Sequence, residues 1–182
     1  MPCTGTTRRT TRPVAFPFEA PVIEEPVTWD ANLGMQPQVY NWTCSACALT
    51  WVLTSAGLRA SSGDVYQDRY DVGMEIGYPG NINSTYGLMD ASGSALQDVY
   101  ATYGQATRSE YLDYDTIYSL AQETTGQMSG GTWYHWVSLR GVQGSNIWIA
   151  NSAPGYKGVY DILSRADFDR LGPFSVVWLT ED

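Results

Sequence analysis

A cysteine, a single histidine, an asparagine and a glutamine carry the chemistry this chain can do. In "QVYNWTCSACALTWVL", Gln38 stands six residues before Cys44, and Cys44 opens a stretch with helical spacing. A thiol is a useful nucleophile only as its thiolate, and the first turn of a helix favours that anion through its free N–H groups and macrodipole. A thiolate attacking an amide also needs an imidazole, to take the thiol proton and later give it to the leaving amine. The chain has one histidine, so any imidazole chemistry must use His135. His135 stands in an alternating stretch, and Asn151 closes the next one, where a hairpin would bring its side-chain oxygen to the ring. Gln38 and the Cys44 backbone N–H are the natural donors to an oxyanion. Together the four residues fit amide hydrolysis through a thioester. On that reading Cys44 would be the nucleophile, His135 the general base and acid, Asn151 the orienter and Gln38 the oxyanion donor. This chemistry needs no cofactor and no metal.

Other readings of Cys44 stay open on the residues alone. Free cysteine is commonly a buried, inert small residue. Cys44-x-x-Cys47 has the spacing of a dithiol redox pair, but such pairs follow a strand in a βαβ unit, and "MQPQVYNWT" offers no such context. Cys3, Cys44, Cys47 and His135 could be summed into a zinc site, yet the paired-ligand spacing of structural zinc is missing. Cys47, three residues into the helix, is expected to pack inward without a disulfide to Cys44. The sequence contains no G-x-S-x-G elbow, H-E-x-x-H or P-loop, so serine-hydrolase, zincin and nucleotide chemistries find no support.

The elements that must position these residues follow from local signals. Thr43-Cys44-Ser45 offers caps for a helix running to Ala56, with Gly57 as its stop and Cys47, Ala48, Trp51 and Val52 as its buried stripe. "SSGDVYQDRYDVGMEIG" suggests a second helix from Asp64, and "GSALQDVYATYG" and "DYDTIYSLAQETTG" read as two more, each closed by glycine. Residues 71–90 read as loop-rich. After Gly131 the pattern changes: "TWYHWVSLRGV" alternates, "QGSN" turns and "IWIANSA" alternates again, which is a hairpin. "GVYDIL" is a further strand, "SRADFDRLG" a short capped helix and "FSVVWL" a last strand. Helices first and an antiparallel sheet second define an α+β class, with N-terminal helices packed on a C-terminal sheet. The tryptophans at 42, 51, 133, 136, 148 and 178 are expected in the core, with Trp133 and Trp136 able to wall a cleft.

Two units are expected: an extended, proline-rich arm over 1–35 and one compact domain over 36–182. The arm pairs prolines with Phe16, Phe18, Val22, Ile23 and Trp29 and has neither helical nor strand period, so it is expected to find its contacts on another protein. A net charge of −9, with no basic stripe beyond Arg8, Arg9 and Arg12, argues against a nucleic-acid partner. No run of 18 apolar residues exists, so no membrane span is expected. The N-terminus lacks the apolar core of a signal peptide, which predicts a protein made in a bacterial cytoplasm. Nine arginines against Lys157 alone suit a GC-rich genome.

Gln-x5-Cys opening a helix, then His at a strand, then Asn or Asp ending the next, is the order of papain-fold cysteine peptidases. Within that fold "CSACALTWVL" resembles the peptidases that process double-glycine bacteriocin leaders, whose motif reads roughly Cys-Gly-Pro-Ala-Cys-Leu-Ala-Met-Val-Leu. The stretch "HWVSLRGVQGSNIWIANSAPG…YDILSRADFDRLGPFSVVWL" is similar to their His-strand, hairpin, Asp-Pro and final helix-strand layout, and the resemblance covers residues 36 to 180. Ser45 replaces the family's glycine, and Asn151-Ser152 replaces its Asp-Pro, so that a neutral orienter stands where the family has a charged one. No transporter follows the domain. Similar domains stand at the N-termini of lytic enzymes of actinobacterial phages, and that resemblance implies a peptidoglycan peptide as substrate and a phage setting. A non-catalytic component of a phage virion, such as a tail protein, and a processing peptidase for a protein partner are the alternatives; the arm favours assembly into something larger.

Overall fold

The computed structural model describes residues 43–83, 87–88, 90–130, 135–153 and 160–181. Gln38, Trp42, Trp133 and the whole arm lie outside them.

Five helices and a six-stranded antiparallel sheet make up the described chain. Helices α1 (Cys44–Ser55) and α2 (Val65–Ile76) come first, then a two-residue pair, β1 (Ile82–Asn83) and β2 (Gly87–Leu88). Next come α3 (Ser94–Thr102), β3 (Thr107–Leu112) and α4 (Tyr114–Glu123). The chain ends with β4 (Gly126–Gly130), β5 (Trp136–Gln143), β6 (Asn146–Ala150), β7 (Tyr160–Leu163), α5 (Arg165–Leu171) and β8 (Phe174–Leu179). The large sheet runs β3-β8-β4-β5-β6-β7.

Local signals set most boundaries. Asp64 caps α2 by accepting from the Tyr66 and Gln67 amides, and Gly77 closes it at φ 105°. Asp113 caps α4 through Thr116, and Ser164 with Asp167 forms a capping box on α5. α2 runs to Ile76 within the stretch expected to be helical from Asp64, so it overlaps the start of the loop-rich 71–90, and Val72 and Ile76 continue its buried stripe.

The sheet is covered on both faces, and this departs from the expected layering. Trp136, Trp148, Ala150, Val177 and Leu179 pack with α1, α2 and α3. Their strand neighbours Val137, Ile147, Ile149, Val176 and Trp178 pack with α4 and α5 on the other side. α5 lies between β7 and β8, as expected, α4 follows β3, a strand with no apolar signature, and the two helices form a third layer. Double coverage also explains why β8 is buried at every residue instead of alternating.

Two strands have no apolar signature. β3 is the polar edge strand TRSEYL, half exposed. β4 is GQMSG, yet it lies in the middle of the sheet between β8 and β5. Gly126 explains how: a Cβ there would stand 2.1 Å from the Val177 carbonyl oxygen and 2.7 Å from Trp178 Cα. Only glycine fits that close approach.

α1 is buried along ten consecutive residues, Cys44 to Leu53, rather than along one stripe. It lies between the sheet and α2, and Ser138 on β5 donates its hydroxyl hydrogen to the Ala48 carbonyl at 2.9 Å. Trp51, Trp136, Trp148 and Trp178 are core residues, as expected.

Candidate active site

Cys44 is the first residue of α1, so the core packing of that helix fixes where its sulfur sits. Thr43 is the N-cap residue but makes no side-chain cap, unlike the expectation for this turn. The backbone amides of Ser45 and Cys44, at this helix terminus, favour the Cys44 thiolate. The backbone amide of Trp136, the residue that follows His135, does the same from the start of β5. The start of α1 and the start of β5 therefore meet at the thiol.

His135 precedes β5 and Asn151 follows β6, so the hairpin expected from the sequence brings them together. His135 Nε2 and Asn151 Oδ1 lie 2.8 Å apart. Asn151 Oδ1 also accepts from the Ala153 backbone N–H at 2.9 Å, which identifies it as the amide oxygen. Nε2 must then carry the hydrogen, and Nδ1 is the acceptor nitrogen of the neutral ring. Asn151 is fully buried, and its Nδ2 has no hydrogen-bond partner among the described residues. Gln38 lies outside the described residues.

Electrostatics overturn one expectation. Helix placement was expected to lower the Cys44 pKa, yet burial pushes the thiol up to about 11. The Trp136, Ser45 and Cys44 amides pull it down and the nearby Cys47 adds to the rise. Desolvation of the anion outweighs the helix terminus here. His135 is shifted below its ordinary value, first by burial, with the Asn151 hydrogen bond acting against the shift. Both groups are neutral near pH 7.

Cys44 and Cys47 are free thiols. Cys47 is fully buried as expected, but its neighbours are not all apolar: Arg69 Nη1 donates to Cys47 Sγ at 3.4 Å. Arg69 was not singled out from the sequence. Its signal is the position, because residues 69, 72 and 76 share one face of α2 and the other two are apolar and buried. The Trp136 and Ala153 backbone contacts left no residue-type signal. Among the described residues, no group of three His, Cys, Asp or Glu side chains could hold a metal ion. No described helix is long and apolar enough to cross a membrane.

A helix opening on a cysteine and packed against an antiparallel sheet that presents histidine and asparagine at one end defines the class: the chain has the papain-like α+β fold. Among solved structures it is similar to a double-glycine-motif protease from an AMS/PCAT transporter, solved with the leader peptide, at 18% identity and TM-score 0.58, covering 88% of this chain and 98% of that one. It is also similar to the peptidase domain of Streptococcus ComA, a bifunctional ABC transporter of a quorum-sensing pathway, at 15% identity and TM-score 0.59, covering 81% and 98%. No protein-family model and no curated protein sequence matches the chain.

Proposed function

We propose that this protein is a cysteine peptidase that cleaves peptide bonds with Cys44, His135 and Asn151. The observation that carries the reading is the 2.8 Å His135–Asn151 hydrogen bond just before β5, whose first amide, that of Trp136, favours the Cys44 thiolate. His135 Nδ1 takes the thiol proton as the sulfur attacks the carbonyl carbon. The carbonyl π electrons move to oxygen, where the Cys44 N–H and Gln38 are the proposed donors. The C–N bond then breaks, and the imidazolium returns its proton to the leaving amine. Water, deprotonated by His135, attacks the thioester and releases the acid and the thiol. No cofactor takes part.

The substrate is a peptide. Peptidoglycan stem or cross-bridge peptides in a phage setting are the favoured class, on the sequence resemblance to phage lytic enzymes. The leader peptide bound by the transporter protease supports the other class, a segment of a protein partner. Purified protein incubated with peptidoglycan and with peptide substrates, beside Cys44→Ala, tests this. Release of new amino termini by the wild type alone supports the reading, and equal products from both proteins would refute it. The second reading is a virion component that keeps the fold without activity; burial of the thiol, which disfavours its anion, is compatible with the loss of activity and does not bear on the virion.

The compact domain over 36–182 and the arm over 1–35 are proposed as separate units, the arm docking on a protein surface. Ordering its residues costs ~1 kcal/mol each. Phe16, Phe18, Val22, Ile23 and Trp29 return ~1.5–3 kcal/mol each when buried. Those gains do not cover residues 13–35, so a docked arm needs further contacts from a larger assembly.

A further inference from the structure

One helix carries most of the large apolar surface left open by the described residues. Tyr66, Tyr70 and Met74 are 64%, 58% and 47% exposed, and Tyr111 and Ile162 are the remaining two such side chains. The spacing of four places all three on one face of α2, a stripe along a helix ~18 Å long. The opposite face is committed to the core through Val72 and Ile76. Carboxylates border the stripe: Asp64 at the cap, then Asp71 and Glu75, both already paired with Arg59.

The complementary chemistry is in this chain. Residues 8–18 contain Arg8, Arg9 and Arg12, then Phe16 and Phe18, and no acidic residue. By contrast, residues 43–182 hold 15 Asp and Glu against 7 Lys and Arg. Arginines seek the carboxylates while Phe16 and Phe18 cover the tyrosine and methionine side chains. Reach is no obstacle, since 24 residues separate Phe18 from Thr43 and span up to ~80 Å extended.

We infer that the exposed Tyr66–Tyr70–Met74 face of α2 binds the basic and aromatic arm of a second copy of this chain, in a reciprocal exchange. The inference rests on reading the arm as a docking segment and is independent of peptidase activity. A second copy is favoured over the arm's own domain because four or five apolar anchors do not cover the ordering of the arm. Exchange of two arms brings two domains into contact and adds the missing surface. A two-fold pair is also the simplest way to close such an exchange.

Sedimentation of the full chain over a concentration series tests this. The wild type should dimerise, and raising the salt from 50 to 500 mM should weaken the dimer. Tyr70→Ser/Met74→Ser and Arg8→Glu/Arg9→Glu/Arg12→Glu should each weaken it at least tenfold with unchanged melting, because the α2 positions are exposed. Mixing the two variants should restore a heterodimer, since one keeps an intact arm and the other an intact stripe. A wild type that stays monomeric, including one whose own arm protects α2 from hydrogen exchange, overturns the proposal. So does a dimer that the arm variant abolishes and the α2 variant leaves intact.

Discussion

Alkylation of Cys44 across pH is the most direct probe of the site, because the structure makes a quantitative claim about the thiol. Burial raises its pKa from 9.0 to about 11, against three backbone N–H groups that pull the other way. At pH 7.5 the thiolate fraction is then ~0.03%, against ~3% for a thiol at 9.0. Iodoacetamide should react about 100-fold more slowly with Cys44 than with an unshifted thiol, and the rate should rise tenfold per pH unit until about pH 11. The sign carries over to stability. A raised folded-state pKa stabilises fully below the unfolded value, and that stability is lost as pH rises through the folded one. Two pH units correspond to ~3 kcal/mol, so urea unfolding should show this loss between about pH 9 and 11, and Cys44→Ala should not. Reading out both together guards against access alone limiting the alkylation rate. A rate that instead plateaus between pH 5 and 8, and loses its plateau in His135→Ala, would mean a standing thiolate–imidazolium pair. That result would refute the argument that desolvation governs this thiol.

Three further outcomes follow from the same geometry. His135 is the only histidine, so its ring protons give a single NMR titration, expected with a midpoint below 6.5. A depressed folded pKa stabilises above the unfolded value and is lost as pH falls, so acid should destabilise the wild type below pH 6.5 more than His135→Gln. Asn151→Ala removes the acceptor of the His135 Nε2–H bond and of the part-buried Ala153 amide, and should cost ~1–3 kcal/mol in urea unfolding. In a peptidase assay it should lower kcat by ~10²-fold or more, whereas Asn151→Asp should raise the His135 midpoint, by ~1–3 units if the carboxylate ionises. Gly126→Ala should cost ~3 kcal/mol or more, because the new Cβ meets backbone of β8 that cannot step aside.

How much of this was legible depended on whether a residue's role was set locally. Asp64, Asp113 and Ser164 announced their helices because a cap acts within three residues of itself. The hairpin was legible from alternation around "QGSN", and with it the meeting of His135 and Asn151. β4 was not, because GQMSG holds its central place through the close approach of Gly126 to β8, a tertiary fact with no pattern in the chain. The third layer was missed for a related reason. Strands buried on both faces lose the alternation that says which side a helix covers. The thiol's pKa was misjudged because the helix terminus is a local feature and burial is not.

The same packing that places Cys44 also opposes its ionisation. α1 is buried over ten residues and tied to β5 by the Ser138–Ala48 bond, so its first residue is held by the core and not by a loop. If Cys44 is the proposed nucleophile, a thiol fixed this way needs little ordering when a substrate arrives, but its sulfur stands where water cannot solvate the anion. Three amides offset part of that cost, those of Cys44, Ser45 and Trp136, and two of them belong to the helix terminus itself. Burial raises the thiol and lowers His135, so each shift opposes moving the proton between them in advance, before the attraction of the resulting pair is counted. Attack is therefore expected to be coupled to the proton transfer, with the thiolate charge passing to the carbonyl oxygen as it forms. The ability to donate to that oxygen then decides whether this site turns over, and the proposed donors are the Cys44 amide and Gln38. Replacing Gln38 by Ala should reduce turnover while leaving the alkylation profile of Cys44 unchanged. A joint change in both would place the glutamine at the sulfur instead of at the oxyanion.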